Sequence, residues 1–133
     1  MPSNKTWGAA LAYSAKRSRF MALASDGDIA VSTDDGATWS AGTATGLTEG
    51  HSLAVLGSLW LAAGEGSAKV GLCGSLDDGA TWFPIFRSAH AAGASSSGLV
   101  HVGVNGQVCF VSTDGSTTTA YWTPPLGYPD AGT

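Results

Sequence analysis

Two pairs of aspartates, each followed by a glycine, are the first candidates for ligand binding or catalysis in this sequence. The segment 34–36 reads Asp-Asp-Gly, and the segment 77–79 repeats it. Such carboxylates could bind calcium, or could act as acid and base in glycoside hydrolysis. The later ligands and the closing glutamate of an EF-hand loop are absent, so we predict that these aspartates stabilise turns and that the chain binds no metal.

Both aspartate pairs belong to a longer repeat. The octapeptide 32–39 reads Ser-Thr-Asp-Asp-Gly-Ala-Thr-Trp, and 43 residues later the octapeptide 75–82 repeats it with a single change. A shorter copy begins a further 37 residues along, as Ser-Thr-Asp-Gly at 112–115, and its tryptophan, Trp122, arrives three residues late. Recurrence at such a period is typical of folds built from repeated units.

The repeated residues suit the corner of a β-hairpin. An aspartate there accepts hydrogen bonds from the backbone N–H groups that follow it, and a glycine two positions later tolerates a positive φ. The tryptophan ring can pack on the hairpin and bury a large area. We therefore predict a structural role for the members of the three copies, which are Ser32, Asp34, Gly36, Trp39, Ser75, Asp77, Gly79, Trp82, Ser112, Asp114 and Trp122.

Short apolar runs separated by polar turns surround each copy and must position it. In the third unit the first run is blurred over 89–94 and is followed by runs at 99–104 and 108–111. Continuous apolar runs are typical of strands buried on both faces. The pattern predicts an all-β fold of about three four-stranded antiparallel blades followed by a proline-rich extended tail. The predicted blades cover approximately residues 7–43, 48–87 and 88–123, and the tail covers 124–133.

The octapeptides 32–39 and 75–82 match Ser-x-Asp-x-Gly-x-Thr-Trp at every position. The chain therefore resembles the Asp-box, or bacterial neuraminidase repeat, family of β-propellers, and over about residues 7–123 it is most similar to repeat units of bacteriophage tail and virion proteins. The resemblance implies propeller blades with the motif on their outer rim. It also implies a structural or attachment role in a virion, as a fibre, tail or capsid decoration. Residues 1–7 are polar and lack the pattern of a signal peptide, so we expect a protein made in the host cytoplasm and not secreted.

The motif is specific for the turn and unspecific for activity. Sialidases that contain it use an arginine triad drawn from separate blades, whereas two of the three arginines here, Arg17 and Arg19, stand in one predicted turn. Glu49 and Glu65 are the only glutamates. We expect no enzymatic activity, and a sialidase-like glycoside hydrolase is the remote alternative.

Four residues outside the repeat could contact a ligand. Trp7 and Trp60 could stack on a sugar, so a lectin-like carbohydrate-binding propeller is the alternative function. His51 and His90 precede their motif serines by 24 and 22 residues, so both could open the innermost strand of a blade. We expect packing roles for the tryptophans, and neither a metal nor another cofactor.

The composition favours an assembly. Hydrophobic residues make up 44% of the chain and charged residues 12%, which predicts that other surfaces cover part of it. The net charge of −4 argues against nucleic acid as a partner, because phosphate contacts need a broad basic surface. The apolar runs are too short to cross a bilayer. Cys73 and Cys109 lie in apolar runs, where we expect free thiols.

The predicted number of blades also bears on partners. A closed propeller has at least four blades, so about three blades need completion. We expect a homo-oligomer, most simply a dimer that forms a six-bladed ring, because closed symmetry dominates among oligomers. Other virion proteins and a cell-surface glycan are the further candidate partners.

Overall fold

A computed structural model describes residues 5–93 and 95–122 of the chain, and these residues form eleven β-strands. The predicted tail, 124–133, lies outside the described residues. The strands are β1 (Trp7–Ser14), β2 (Arg19–Ala24), β3 (Ile29–Ser32), β4 (Ser40–Ala41), β5 (Glu49–Leu56), β6 (Leu59–Glu65), β7 (Lys69–Ser75), β8 (Phe83–Ala91), β9 (Ser97–Val102), β10 (Val108–Thr113) and β11 (Thr118–Trp122).

The strands form three antiparallel sheets in which neighbours along the chain are hydrogen-bonded. We call these sheets blade one (β1–β4), blade two (β5–β8) and blade three (β9–β11). The first two blades have the predicted four strands, and blade three has three among the described residues. The predicted all-β antiparallel class is confirmed.

Burial explains why the apolar runs are continuous. Every residue of β6 is buried, and so is every residue of β7 after Lys69, because both strands have a protein layer on each face. The outer strands differ: β11 alternates between exposed and half-buried residues along its length. The pattern of hydrophobic residues therefore follows the position of each strand in the stack.

Consecutive blades pack face to face around two apolar clusters. The cluster between blades one and two contains Met21, Leu23, Ile29, Leu53, Trp60, Ala62 and Cys73. The cluster between blades two and three contains Leu56, Leu59, Leu61, Ala63, Val70, Leu72, Val100, Val108 and Phe110. In both junctions the first strand of the later blade lies across the first two strands of the earlier blade.

The start of blade three differs from the prediction. The segment that was expected to open it, from residue 89, instead ends β8, where Lys69 Nζ donates to Ala89 O at 2.9 Å and Ala92 N donates to Ala68 O at 3.1 Å. These bonds hold the segment on blade two. Because β9 packs on blade two as β5 packs on blade one, β9 is the first strand of blade three.

Two glycines allow this close packing of first strands. A Cβ on Gly50 would lie 2.7 Å from Leu23 Cγ of blade one, and a Cβ on Gly98 would lie 2.8 Å from Val70 Cγ1 of blade two. A larger residue at either place would push the blades apart. The two junctions therefore repeat one arrangement.

Candidate functional site

The octapeptides 32–39 and 75–82 fold into turns with the same hydrogen bonds. In the first turn, Gly36 N donates to Ser32 Oγ at 2.8 Å, and Thr38 N donates to Asp34 Oδ1 at 2.8 Å. The Ser32 hydroxyl also donates to Asp34, and so does the Thr38 hydroxyl. The second turn repeats these bonds with Ser75, Asp77, Gly79 and Thr81.

These bonds fix the charge of the aspartates. The Thr38 side chain lowers the pKa of Asp34, and the Thr81 side chain lowers the pKa of Asp77 to about 2, because both hydroxyls donate to the ionised form. The carboxylates therefore stay ionised at neutral pH. Their oxygens satisfy turn donors, which supports the predicted structural role of the two copies.

The second aspartate of each pair occupies left-handed backbone. Asp35 has φ 58° and Asp78 has φ 56°, a region where aspartate is among the tolerated residues other than glycine. The glycines that follow, Gly36 and Gly79, have φ 87° and 84°. The second and third residues of Asp-Asp-Gly therefore suit the left-handed backbone of the turn.

The two turn tryptophans bond to different places. Trp39 Nε1 donates to Gly36 O of its own turn at 3.0 Å. Trp82 Nε1 instead donates to Thr43 O at 3.0 Å, beyond the end of β4, so the second turn is tied to blade one. Thr43 N returns a bond to Gly79 O at 3.0 Å.

The segment 112–115 does not form a third turn of this kind. It joins the second and third strands of blade three, whereas both octapeptides follow a third strand. Ser112 Oγ donates to Ser88 Oγ at 2.8 Å, and Asp114 Oδ1 accepts from Ser116 N at 3.0 Å and Thr117 N at 2.9 Å. Gly115 follows Asp114 directly, one residue earlier than the glycine of the octapeptides, and the turn bonded to Asp114 is shorter. Trp122 ends β11 with 66% of its surface exposed.

Asp78 forms a charged clamp between blades one and two that the sequence did not reveal. Its side chain is 7% exposed and accepts from Arg17 Nε at 3.1 Å and from Trp60 Nε1 at 3.0 Å. Arg17 Nη2 and Arg19 Nη1 also bind its second oxygen. Burial opposes ionisation of Asp78 most strongly, but the bonds from Arg17 and Trp60 and the arginine charges outweigh it and lower the pKa.

The structure places the four candidate ligand residues in different parts of the fold. Trp60 is fully buried and its indole N–H is bound to Asp78, so it is unavailable to stack on a sugar. Trp7 is half-buried at the start of β1, opposite Ala24. His51 lies in β5, the first strand of blade two, but His90 lies in β8, the fourth strand of the same blade. The predicted equivalence of the histidines is therefore wrong.

His90 joins blade two to the hairpin of blade three. It is 7% exposed, and its Nε2 lies 3.0 Å from Thr119 Oγ1. Its Nδ1 lies 3.9 Å from Asp114 Oδ2 and has no hydrogen-bond partner among the described residues. This histidine is a component of the junction.

Glu49, His51 and Glu65 form the one group of possible metal ligands among the described residues, with ligand atoms within 4.8 Å of one another. Gly98 N donates to His51 Nδ1 at 3.2 Å, which places the ring proton on Nε2, facing Glu49 Oε2 at 3.4 Å. Glu65 Oε1 accepts from the Ser96 hydroxyl. Since His51 uses both ring nitrogens in these bonds, the group fits a hydrogen-bonded junction better than a metal centre.

Within the part of the chain that the structure describes, no blade covers the outward faces of blades one and three. The pair Tyr13–Phe20 of blade one is equivalent to the pair Val55–Trp60 of blade two. Leu11 and Leu53, which lie two residues before Tyr13 and Val55, are therefore equivalent as well. Leu53 is 8% exposed against blade one, and Leu11 is 61% exposed. On blade three the open face carries Leu99, His101, Cys109, Val111 and Trp122.

Both cysteines are free thiols in different surroundings. Burial raises the pKa of Cys73 to about 12, and Cys73 packs between blades one and two. Cys109 is half-buried on the open face of blade three. Among the described residues, no helix has the length and apolar character to span a membrane.

No family model matches the chain, and no curated protein matches it. Among solved structures, YCF48 from Cyanidioschyzon merolae matches with a TM-score of 0.56 at 16% identity, over 90% of this chain and 41% of that protein. The fold is that of a partial β-propeller. The chain spans less than half the length of this neighbour, and a likeness at this identity concerns the fold alone.

Proposed function

We propose that this chain is a non-catalytic structural or attachment module of a bacteriophage virion, in which further copies of the chain cover its two open blade faces. The observation that carries the proposal is the pair Leu11 and Leu53. Equivalent leucines are 61% and 8% exposed, and the difference is the presence of a preceding blade. Exposed apolar faces of this kind mark interaction surfaces.

The two junctions within the chain are the template for the junction between copies. The open face of blade one corresponds to the face that blade two turns toward blade one. The open face of blade three corresponds to the face that blade two turns toward blade three. The faces are therefore complementary head to tail, and two copies supply six blades, enough for a closed ring.

The chemistry of the acidic residues supports a role without catalysis. Asp34 and Asp77 are bound within their turns, and Asp78 is bound by the arginines that a sialidase-like site would need. The virion assignment is supported by the likeness of the octapeptides and their frame to virion repeat units. The lectin-like alternative loses one of its two aromatic residues, because Trp60 is buried.

The oligomeric state tests the assembly directly. We expect light scattering to give the mass of a dimer for the unaltered chain and of a monomer for Leu11→Asp, because the new charge would be buried in the junction. Leu76→Asp is the matched control, since Leu76 is 53% exposed in the β7–β8 turn, away from both open faces. A monomer in all three samples would overturn the assembly.

The virion assignment has a separate test. Mass spectrometry of particles purified from the host that carries the gene is expected to detect the chain in proportion to other structural proteins. Its absence from washed particles, with the chain present in the lysate, would overturn this part of the proposal.

A further inference from the structure

Asp35 and Asp78 are equivalent residues in different surroundings. They hold the same position in the two octapeptide turns, with φ values of 58° and 56°. Asp78 is covered by Arg17 of the β1–β2 turn and by Arg19, the first residue of β2, in the preceding blade. Asp35 is exposed, because blade one has no preceding blade within the described residues.

The proposed head-to-tail assembly supplies a preceding blade for Asp35. That blade is blade three of another copy, and its β9–β10 turn takes the place of the β1–β2 turn. Gly103 N donates to Gln107 O at 2.8 Å at the base of that turn, as Ser14 pairs with Arg19 in blade one. The next pair outward is Val108 with Val102, as it is Phe20 with Tyr13 in blade one. Gln107 directly precedes Val108, so it stands where Arg19 stands in blade one.

Resting on the proposed function, we infer that Gln107 of one copy donates its side-chain amide to the Asp35 carboxylate of the next copy. The neighbouring Asn105 Oδ1 accepts from Gln107 N at 3.2 Å, which shapes the turn and leaves the Gln107 side chain half-buried at its rim. A carboxylate accepts hydrogen bonds only, and the carboxamide offers two donors. A second copy of this chain on the open face of blade one would thus bring a matching donor to Asp35.

The comparison of Asp78 with Asp35 also predicts which junction between blades is stronger. Inside the chain, two guanidinium groups bind Asp78, whereas between copies a neutral amide binds Asp35. Charge-assisted bonds with both partners ionised are the stronger kind. The junction between copies is thus the weaker one, and replacing the amide by a guanidinium strengthens it.

A double-mutant cycle on the full chain tests the pair. Gln107→Arg is expected to lower the dimer dissociation constant about fivefold at low salt, the size of a favourable exposed ion pair. Asp35→Asn is expected to abolish that gain. Ser67→Arg, which adds the same charge in the exposed β6–β7 turn, is the control and leaves the constant unchanged. Sedimentation velocity over a concentration series measures each constant.

The outcomes separate the two proposals. A dimer whose Gln107→Arg gain disappears in Asp35→Asn supports the pair. A dimer in which the two substitutions act independently overturns the pair and leaves the assembly standing. A chain that stays monomeric at every concentration overturns the assembly, and the pair with it.

Discussion

The two junctions between blades have similar apolar clusters but different polar chemistry. Between blades one and two, Asp78 binds two guanidinium groups. Between blades two and three, no arginine is bound to a carboxylate among the described residues: Ser112 pairs with Ser88 at 2.8 Å, Ser52 Oγ pairs with Val100 N at 3.1 Å and with Val100 O at 3.2 Å, and the Glu65 carboxylate accepts from the Ser96 hydroxyl. Apolar area drives both contacts, and the polar groups fix which turn lies against which.

The largest expected effect comes from removing the charge of the clamp. In Asp78→Asn, the two guanidinium groups lose their buried anion, and we expect the free energy of unfolding to fall by about 2 kcal/mol, less than for a fully buried pair because the arginines are partly solvated. Urea unfolding followed by circular dichroism, at concentrations where the chain is monomeric, measures the loss.

Asp35→Asn is the matched control for that experiment. It alters the equivalent exposed position, so we expect a change of less than about 0.5 kcal/mol. Equal losses in the two variants would show that the turn, and not the clamp, is the source of the stability.

The second prediction distinguishes Trp82, which is bonded to another blade, from Trp39, which is bonded within its own turn. Trp82→Phe removes the bond to Thr43 O that connects the blades, and we expect a loss of about 1 kcal/mol. Trp39→Phe removes a bond within one turn. Hydrogen exchange at Thr43 N is the sharper readout, because this amide is bonded to Gly79 O across the same contact. Faster exchange in Trp39→Phe than in Trp82→Phe would contradict this assignment.

The smallest effect is a pH dependence of the turns. The hydrogen bond from the Thr81 side chain is the largest cause that lowers the folded-state pKa of Asp77 to about 2. The pKa of an unfolded aspartate is about 3.9. A depressed pKa contributes stability that is present above the unfolded value and is lost as the pH falls through the folded value. We expect Asp77→Asn to flatten the fall of stability on acidification toward about pH 2. An unchanged pH profile of stability in Asp77→Asn would show that Asp77 is not the source of the loss on acidification.

Local features of this fold could be predicted from the sequence. The octapeptide turns follow from Asp, Gly and Trp within eight positions, and strands such as β6 follow from unbroken apolar runs. The clamp could not be predicted, because Arg17 and Asp78 are 61 residues apart. One signal was present: the only local cluster of basic residues, Lys16, Arg17 and Arg19, lies at the β1–β2 turn and the start of β2.

The start of blade three shows where sequence patterns fail. The run from residue 89 resembles a first strand, but a bond donated by Lys69 Nζ and a bond accepted by Ala68 O keep it on blade two. The segment 112–115 resembles the octapeptides, but its place after a second strand gives it another turn. Both outcomes depend on pairing partners distant in sequence, which a local pattern does not contain.

The reactivity of Cys109 tests the coverage of the open faces most directly. Cys109 lies on the open face of blade three, and Leu11 lies on the face that would cover it in the next copy. We predict slow alkylation of Cys109 at high protein concentration and fast alkylation on dilution or in Leu11→Asp, with buried Cys73 slow throughout. Equal rates for Cys109 in the unaltered chain and in Leu11→Asp at every concentration would contradict the account.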